Sequence, residues 1–101
     1  MPVVSLNNMK ARLLVRERRV LEHGFIEVVV WGLEQPMKGS RHHFKYRLAY
    51  VVRGECVLRY DNESGKGDHY HSGKMESPYA FVSVDQLLDD FLAEVDRWKE
   101  K

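Results

Sequence analysis

The clearest periodicity lies at the C-terminal end. Val84, Leu87, Leu88, Phe91, Leu92, Val95 and Trp98 recur at helical intervals, with Asp85, Asp89, Asp90, Glu94 and Asp96 at other positions. Ser83 and Gln86 have the spacing of a capping box. Asp85 at one end and Arg97, Lys99 and Lys101 at the other complement the helix dipole. The pattern predicts an amphipathic helix, marginal in water on its own. It should pack on a sheet, with Leu87, Leu88, Phe91, Leu92 and Val95 buried.

Upstream, apolar positions follow strand-like patterns. Arg12–Leu21 sets Leu14, Val15 and Val20 among arginines, Glu22-His23-Gly24 reads as a turn, and Phe25–Trp31 is β-branched and aromatic. Together they predict a hairpin. Gly32–Phe44, with Pro36 and Gly39, reads as a loop ending in Arg41-His42-His43. Tyr46–Val52 and Glu55–Asp61 predict a second hairpin about a two-residue Arg53-Gly54 turn. With an unbroken ladder, Val51 faces Cys56, Ala49 faces Leu58 and Arg47 faces Tyr60. On the other face Tyr50 meets Val57, Leu48 meets Arg59 and Tyr46 meets Asp61. The turn end would be apolar and the far end charged. Asn62–Gly67 is a polar turn, Asp68–His71 a short returning strand, Ser72–Ser77 loop and Tyr79–Val82 a short edge strand. The fold class predicted is α+β. Residues 1–101 form one domain, an antiparallel sheet of four to five strands built on two hairpins, with one C-terminal helix packed on one face.

Composition narrows the class. At 101 residues, with 44% hydrophobic and 31% charged positions, the chain has the makings of one modest core and not of a disordered segment. Apolar runs such as Val28–Trp31 are far too short to span a bilayer. Met1–Lys10 lacks the charged start and long apolar stretch of a secretory signal. Cys56 is the one cysteine, so it forms no internal disulfide, and its position, read as buried, makes it a poor nucleophile. A reducing cytoplasm is the expected compartment, with no membrane partner.

The net charge of +1 hides a division. Residues 38–74 hold eight Lys/Arg against four Asp/Glu, and four of the five histidines. Residues 75–101 hold three Lys/Arg against seven Asp/Glu. The middle is suited to an anion, although a basic sheet and an acidic helix that simply face water would look the same.

The densest polar stretch is Arg59–His71. If Asp68–His71 is extended, His69 and His71 share a face. Two such imidazoles can act as general base and acid, can bind a metal, or can be ordinary surface residues. A metal would need a third ligand from Asp68, His42, His43 or Asp61, and the residues make no case for metal or any other cofactor. Gly65-Lys66-Gly67 allows close backbone approach beside an ammonium, without the spacing of a phosphate-binding loop. Lys45, Arg47 and Arg59 lie toward the charged end of the second hairpin, where arginine can fork onto a phosphate. For Arg59 an ion pair with Asp61 or Glu55 is the plainer reading. Tyr46, Tyr60 and Tyr70 could stack on bases or could be sheet packing. No Gly-x-Ser-x-Gly occurs, and the basic surroundings of Asp61, Glu63 and Asp68 do not suit a glycosidase-like carboxylate pair.

Lys45–Val51, Cys56–Glu63 and Gly65–His71, the last carrying Gly-Asp-His-x-His, resemble the TumE family of bacterial and archaeal toxins. Lys10–Leu14 and the helix through Trp98 extend the resemblance over about residues 9–99. The family pattern carries arginine where this chain has Tyr70. The resemblance implies a type II toxin encoded beside a helix-turn-helix antitoxin, with ribonucleolytic chemistry. On that reading His69 and His71 carry the proton transfers with Asp68 or Asp61 orienting an imidazole. Lys45, Arg47, Arg59, Lys66, Tyr46 and Tyr60 bind an RNA substrate, and no metal takes part. The alternative is a non-catalytic module binding RNA or protein.

Overall fold

The computed structural model describes residues 2–6 and 9–99; Lys101, named above for the helix dipole, lies outside them. Seven strands form one sheet: β1 (Val3–Leu6), β2 (Met9–Val20), β3 (Gly24–Leu33), β4 (Phe44–Val52), β5 (Glu55–Glu63), β6 (Gly67–Ser72) and β7 (Met75–Pro78). Each pairs antiparallel with its sequence neighbour, so spatial order equals chain order. One helix, α1 (Val84–Lys99), follows. The α+β class and the C-terminal helix agree with expectation, but the sheet has seven strands rather than four or five. β1 and β7 account for the difference. Both are four-residue edge strands without strict alternation. The last strand is Met75–Pro78, overlapping the Ser72–Ser77 segment read as loop, while Tyr79–Val82 is irregular.

The main core lies on one face, and a second, small cluster of Ala11, Leu33 and Met37 has Trp31 packed against it. Ile26, Val28 and Val30 of β3, Tyr46, Leu48 and Tyr50 of β4, and Leu58 and Tyr60 of β5 alternate inward against Leu87, Phe91 and Val95. The Phe91 ring meets Tyr60 edge-on at 5.9 Å between centroids. Ser83 Oγ accepts the Gln86 backbone N–H at 3.1 Å, and the Gln86 side chain turns forward to Asp90 instead of closing the box. Leu88 is half-buried at the edge of the cluster, and Leu92 is exposed, one step too far round the helix. Among the described residues no helix is long and apolar enough to cross a membrane.

Two backbone irregularities set which side chains share a face. The Arg53-Gly54 turn has positive φ at both residues, 49° and 81°, as a two-residue hairpin requires. Val51↔Cys56 pairs as expected, but the next pair is Tyr50↔Leu58. Val57 is an extra residue, a β-bulge, and it shifts every later partner by one. Ala49 therefore faces Arg59, Leu48 faces Tyr60 and Arg47 faces Asp61. The unbroken ladder would have mixed Arg59 with Leu48 across one face. The bulge keeps apolar residues together. Cys56, at the start of β5, is exposed rather than buried.

Candidate active site on the open face of the sheet

The helix covers only one face. On the other, register and alternation build two cross-strand rows. One runs Val29–Arg47–Asp61–His69–Pro78, and the next Glu27–Ala49–Arg59–His71–Glu76. His69 and His71 sit one strand step apart on β6, with ring centroids 5.1 Å apart and planes at 78°. Lys45 and Trp31 pair in the row beyond Arg47. A groove of about 540 Å³ runs along this face, lined by Glu27, Trp31, Lys45, Arg47, Arg59 and Asp61.

His69 is 4% exposed. Its Nδ1 lies 3.1 Å from the Gly67 carbonyl oxygen. That oxygen can only accept, so Nδ1 carries a hydrogen. In the neutral ring Nε2 is then a bare lone pair, yet it sits 2.8 Å from Asp61 Oδ1, another acceptor. Neither atom has a directional hydrogen bond to any partner. Two acceptors at that distance need a cation between them. Arg59 Nε approaches the second oxygen, Asp61 Oδ2, at 3.2 Å, and holds the carboxylate from the side.

His71 repeats the arrangement. Its Nδ1 is 3.8 Å from Glu76 Oε2, and Nε2 is buried without a hydrogen-bond partner. Lys66 Nζ lies 3.3 Å from the other Glu76 oxygen. Its hydrogen bond and charge hold the Glu76 carboxyl below the usual carboxylate range, so Glu76 stays an acceptor facing His71.

The structure thus brings together seven residues singled out in the sequence: His69, His71, Asp61, Lys45, Arg47, Arg59 and, through Glu76, Lys66. Three others lie elsewhere. Asp68 follows the opposite alternation and points to the helix side of the sheet. There its Oδ2 accepts from the Tyr46 hydroxyl at 2.7 Å and from His42 Nε2 at 2.8 Å. The Phe44 backbone N–H donates to His42 Nδ1, which fixes the tautomer, and Phe81 stacks on the His42 ring at 3.9 Å. Asp68 does orient an imidazole, but that of His42. Burial and the Asp68 hydrogen bond raise the Tyr46 hydroxyl pKa, and Tyr46 is 2% exposed. Tyr60 lies in the core between Tyr70 and Phe91, its hydroxyl pKa also raised by burial. Neither ring faces the groove as a stacking platform.

Glu76 and Trp31 belong to the open face and were not singled out from the sequence. Glu76 lies in a segment read as loop. Trp31 was read only as a strand former, although its phase opposite to Val28 and Val30 places it on the uncovered face.

A family model described as toxin TumE matches residues 6–99. No curated protein and no solved structure matches the chain significantly.

Proposed function

The chain belongs to the TumE toxin family, and from that premise we propose that it is the toxin of a toxin–antitoxin pair and cleaves RNA on the open face of its sheet. The observation that carries this is the convergence of His69 and His71 with Asp61 and the cations Arg47, Lys45, Arg59 and Lys66 on the face that no helix covers.

The chemistry is transfer of the phosphodiester within the RNA. His71 is the more open ring, and a rotation that brings its buried, bare Nε2 to the surface lets it accept the proton of a ribose 2′-hydroxyl. The 2′-oxygen bonds to phosphorus, and the bond to the 5′-oxygen breaks. His69, with a proton between its Nε2 and Asp61, supplies the proton that the departing oxygen takes up. The products are a 2′,3′-cyclic phosphate and a free 5′-hydroxyl. Arg47, Lys45 and Lys66 offset the charge on the phosphorane, and Arg59 keeps Asp61 in place. Trp31, beside Lys45 at the groove, offers a ring face to a base. DNA lacks the attacking hydroxyl and is not a substrate.

An acidic segment of a helix-turn-helix antitoxin silences the toxin by covering the same cations. The test is purified protein on single-stranded RNA in the presence of EDTA, with the cyclic phosphate as the product sought. RNA bound but left intact would make the chain a binding module instead.

A further inference from the structure

We propose that Asp61, His69 and His71 form a binding site for one divalent transition-metal ion, of which zinc is the best match. Among the described residues these three offer ligand atoms that all lie within 4.8 Å of one another. Ligands about 2.1 Å from a shared zinc stand roughly 3 to 3.5 Å apart, so small side-chain rotations close the site.

Three independent features point to an ion. First, the atoms that converge are acceptors. Asp61 Oδ1, His69 Nε2 and His71 Nε2 are all buried and lack hydrogen-bond partners, and Asp61 Oδ1 and His69 Nε2 stand only 2.8 Å apart. Second, the far nitrogen of each ring already faces an acceptor: the Gly67 carbonyl for His69 and the Glu76 carboxylate for His71. His69 is held as metal-ligating histidines usually are, with the outer N–H donated and the inner nitrogen bare, while Glu76 stands 3.8 Å from His71 Nδ1, at ion-pair rather than hydrogen-bond distance. Third, Arg59 Nε, itself buried and without a directional hydrogen bond, stands 3.2 Å from the second oxygen of Asp61 as an ion pair and leaves Oδ1 to the site. His42 is the contrast. Both its nitrogens are matched, one to Asp68 and one to the Phe44 N–H, and it has no atom to give an ion.

Two imidazoles and one carboxylate suit zinc and its neighbours in the first transition row. Calcium and magnesium prefer oxygen ligands. The ion takes the same two nitrogens that move protons in the reaction proposed above. The metal-loaded protein is therefore the silent form, and ion and reaction exclude each other. The site itself stands on geometry and does not depend on the ribonuclease reading.

The experiment uses tag-free full-length protein stripped with chelator and desalted. It is titrated with Co²⁺ and then Zn²⁺, followed by visible absorption and calorimetry. One ion per chain is expected, with Co²⁺ absorption bands displaced by Zn²⁺. His71→Ala and Asp61→Asn should each weaken binding by at least about 100-fold, the upper span for groups that only orient a ligand. His43→Ala, an exposed ring away from the cluster, should leave binding unchanged. No ion bound at micromolar concentrations, or unchanged affinity in folded His71→Ala protein, overturns the site. RNA cleavage on the same samples separates the two claims. Cleavage by stripped protein that stops on Zn²⁺ addition supports the site, and cleavage unaffected by a saturating ion overturns its assignment to these nitrogens. Binding with the expected mutant losses but no cleavage in either state supports the site and removes the ribonuclease reading.

Discussion

Asp61 and His69 face each other across the β5–β6 ladder, with Oδ1 2.8 Å from Nε2, on the side of the sheet that α1 leaves uncovered. Asp68, the immediate neighbour of His69 in sequence, faces the other way and serves His42. The two aspartates have different jobs, and substitution separates them. Asp61→Asn should lower RNA cleavage by about 10- to 100-fold, by analogy with other groups that orient an active imidazole. Asp68→Asn should leave cleavage near wild type and cost about 1–3 kcal/mol of stability, because the Tyr46 hydroxyl and the His42 N–H lose a charged acceptor. Loss of activity in the Asp68 variant with Asp61→Asn fully active would reverse the assignment.

The histidines should act as a pair. Each changed to alanine is expected to lower the cleavage rate by roughly two to four orders of magnitude in EDTA, the usual span for general acid–base catalysis. The double variant should lose less than the product of the two single losses, since both act in one step. Unchanged turnover in the double variant would leave the rings as metal ligands or plain structure.

The core prediction concerns α1. Phe91 is fully buried against Tyr60, so Phe91→Ala should cost about 3–5 kcal/mol in urea unfolding. Leu92→Ala, at an exposed position, should fall within about 0.5 kcal/mol of wild type. Equal losses at the two positions would mean that the helix packs on a different face.

Arg53 offers a gain. Its φ of 49° places a bulky side chain in the left-handed region, where asparagine is better tolerated. Arg53→Asn should raise stability by about 0.5–1 kcal/mol, read as a higher urea midpoint at unchanged slope.

Antitoxin binding should follow the open face. In a co-purified complex with the product of the adjacent gene, Lys45 and Lys66 should be shielded from acetylation while Lys99, at the end of α1, stays reactive. Shielding of Lys99 alone would move the interface to the helix.

Much of this was legible in the residues. The stripe from Val84 to Trp98 marked the helix because seven apolar positions keep one period. His69 and His71 could be put on one face because a strand alternates whatever its partner. What failed was the register beyond the Val51–Cys56 pair, which depends on the partner strand. Asp68, adjoining His69 in sequence, and Asp61, across a turn, both stood as companions for an imidazole, and only the β5–β6 register decides for Asp61. Val57 reads as an ordinary strand residue, and nothing local marks it as the extra one that shifts the ladder. Tyr46 and Tyr60 carry chemistry that suits RNA, but their phase with Leu48 and Leu58 committed them to the core. β1 and β7 went unread because short edge strands need little hydrophobic pattern.

The strand order bears also on how the protein comes to exist. Since every strand pairs with the one just before it, the sheet can zip up hairpin by hairpin as the chain leaves the ribosome, with few long-range closures to wait for. The helix that covers Leu48, Leu58 and Tyr60 is made after the strands it packs on. Until α1 docks, a nascent sheet already bearing its Asp61–His69–His71 cluster has one greasy face open. The interval between those events is when a chaperone or a co-translated antitoxin meets this protein at its most vulnerable.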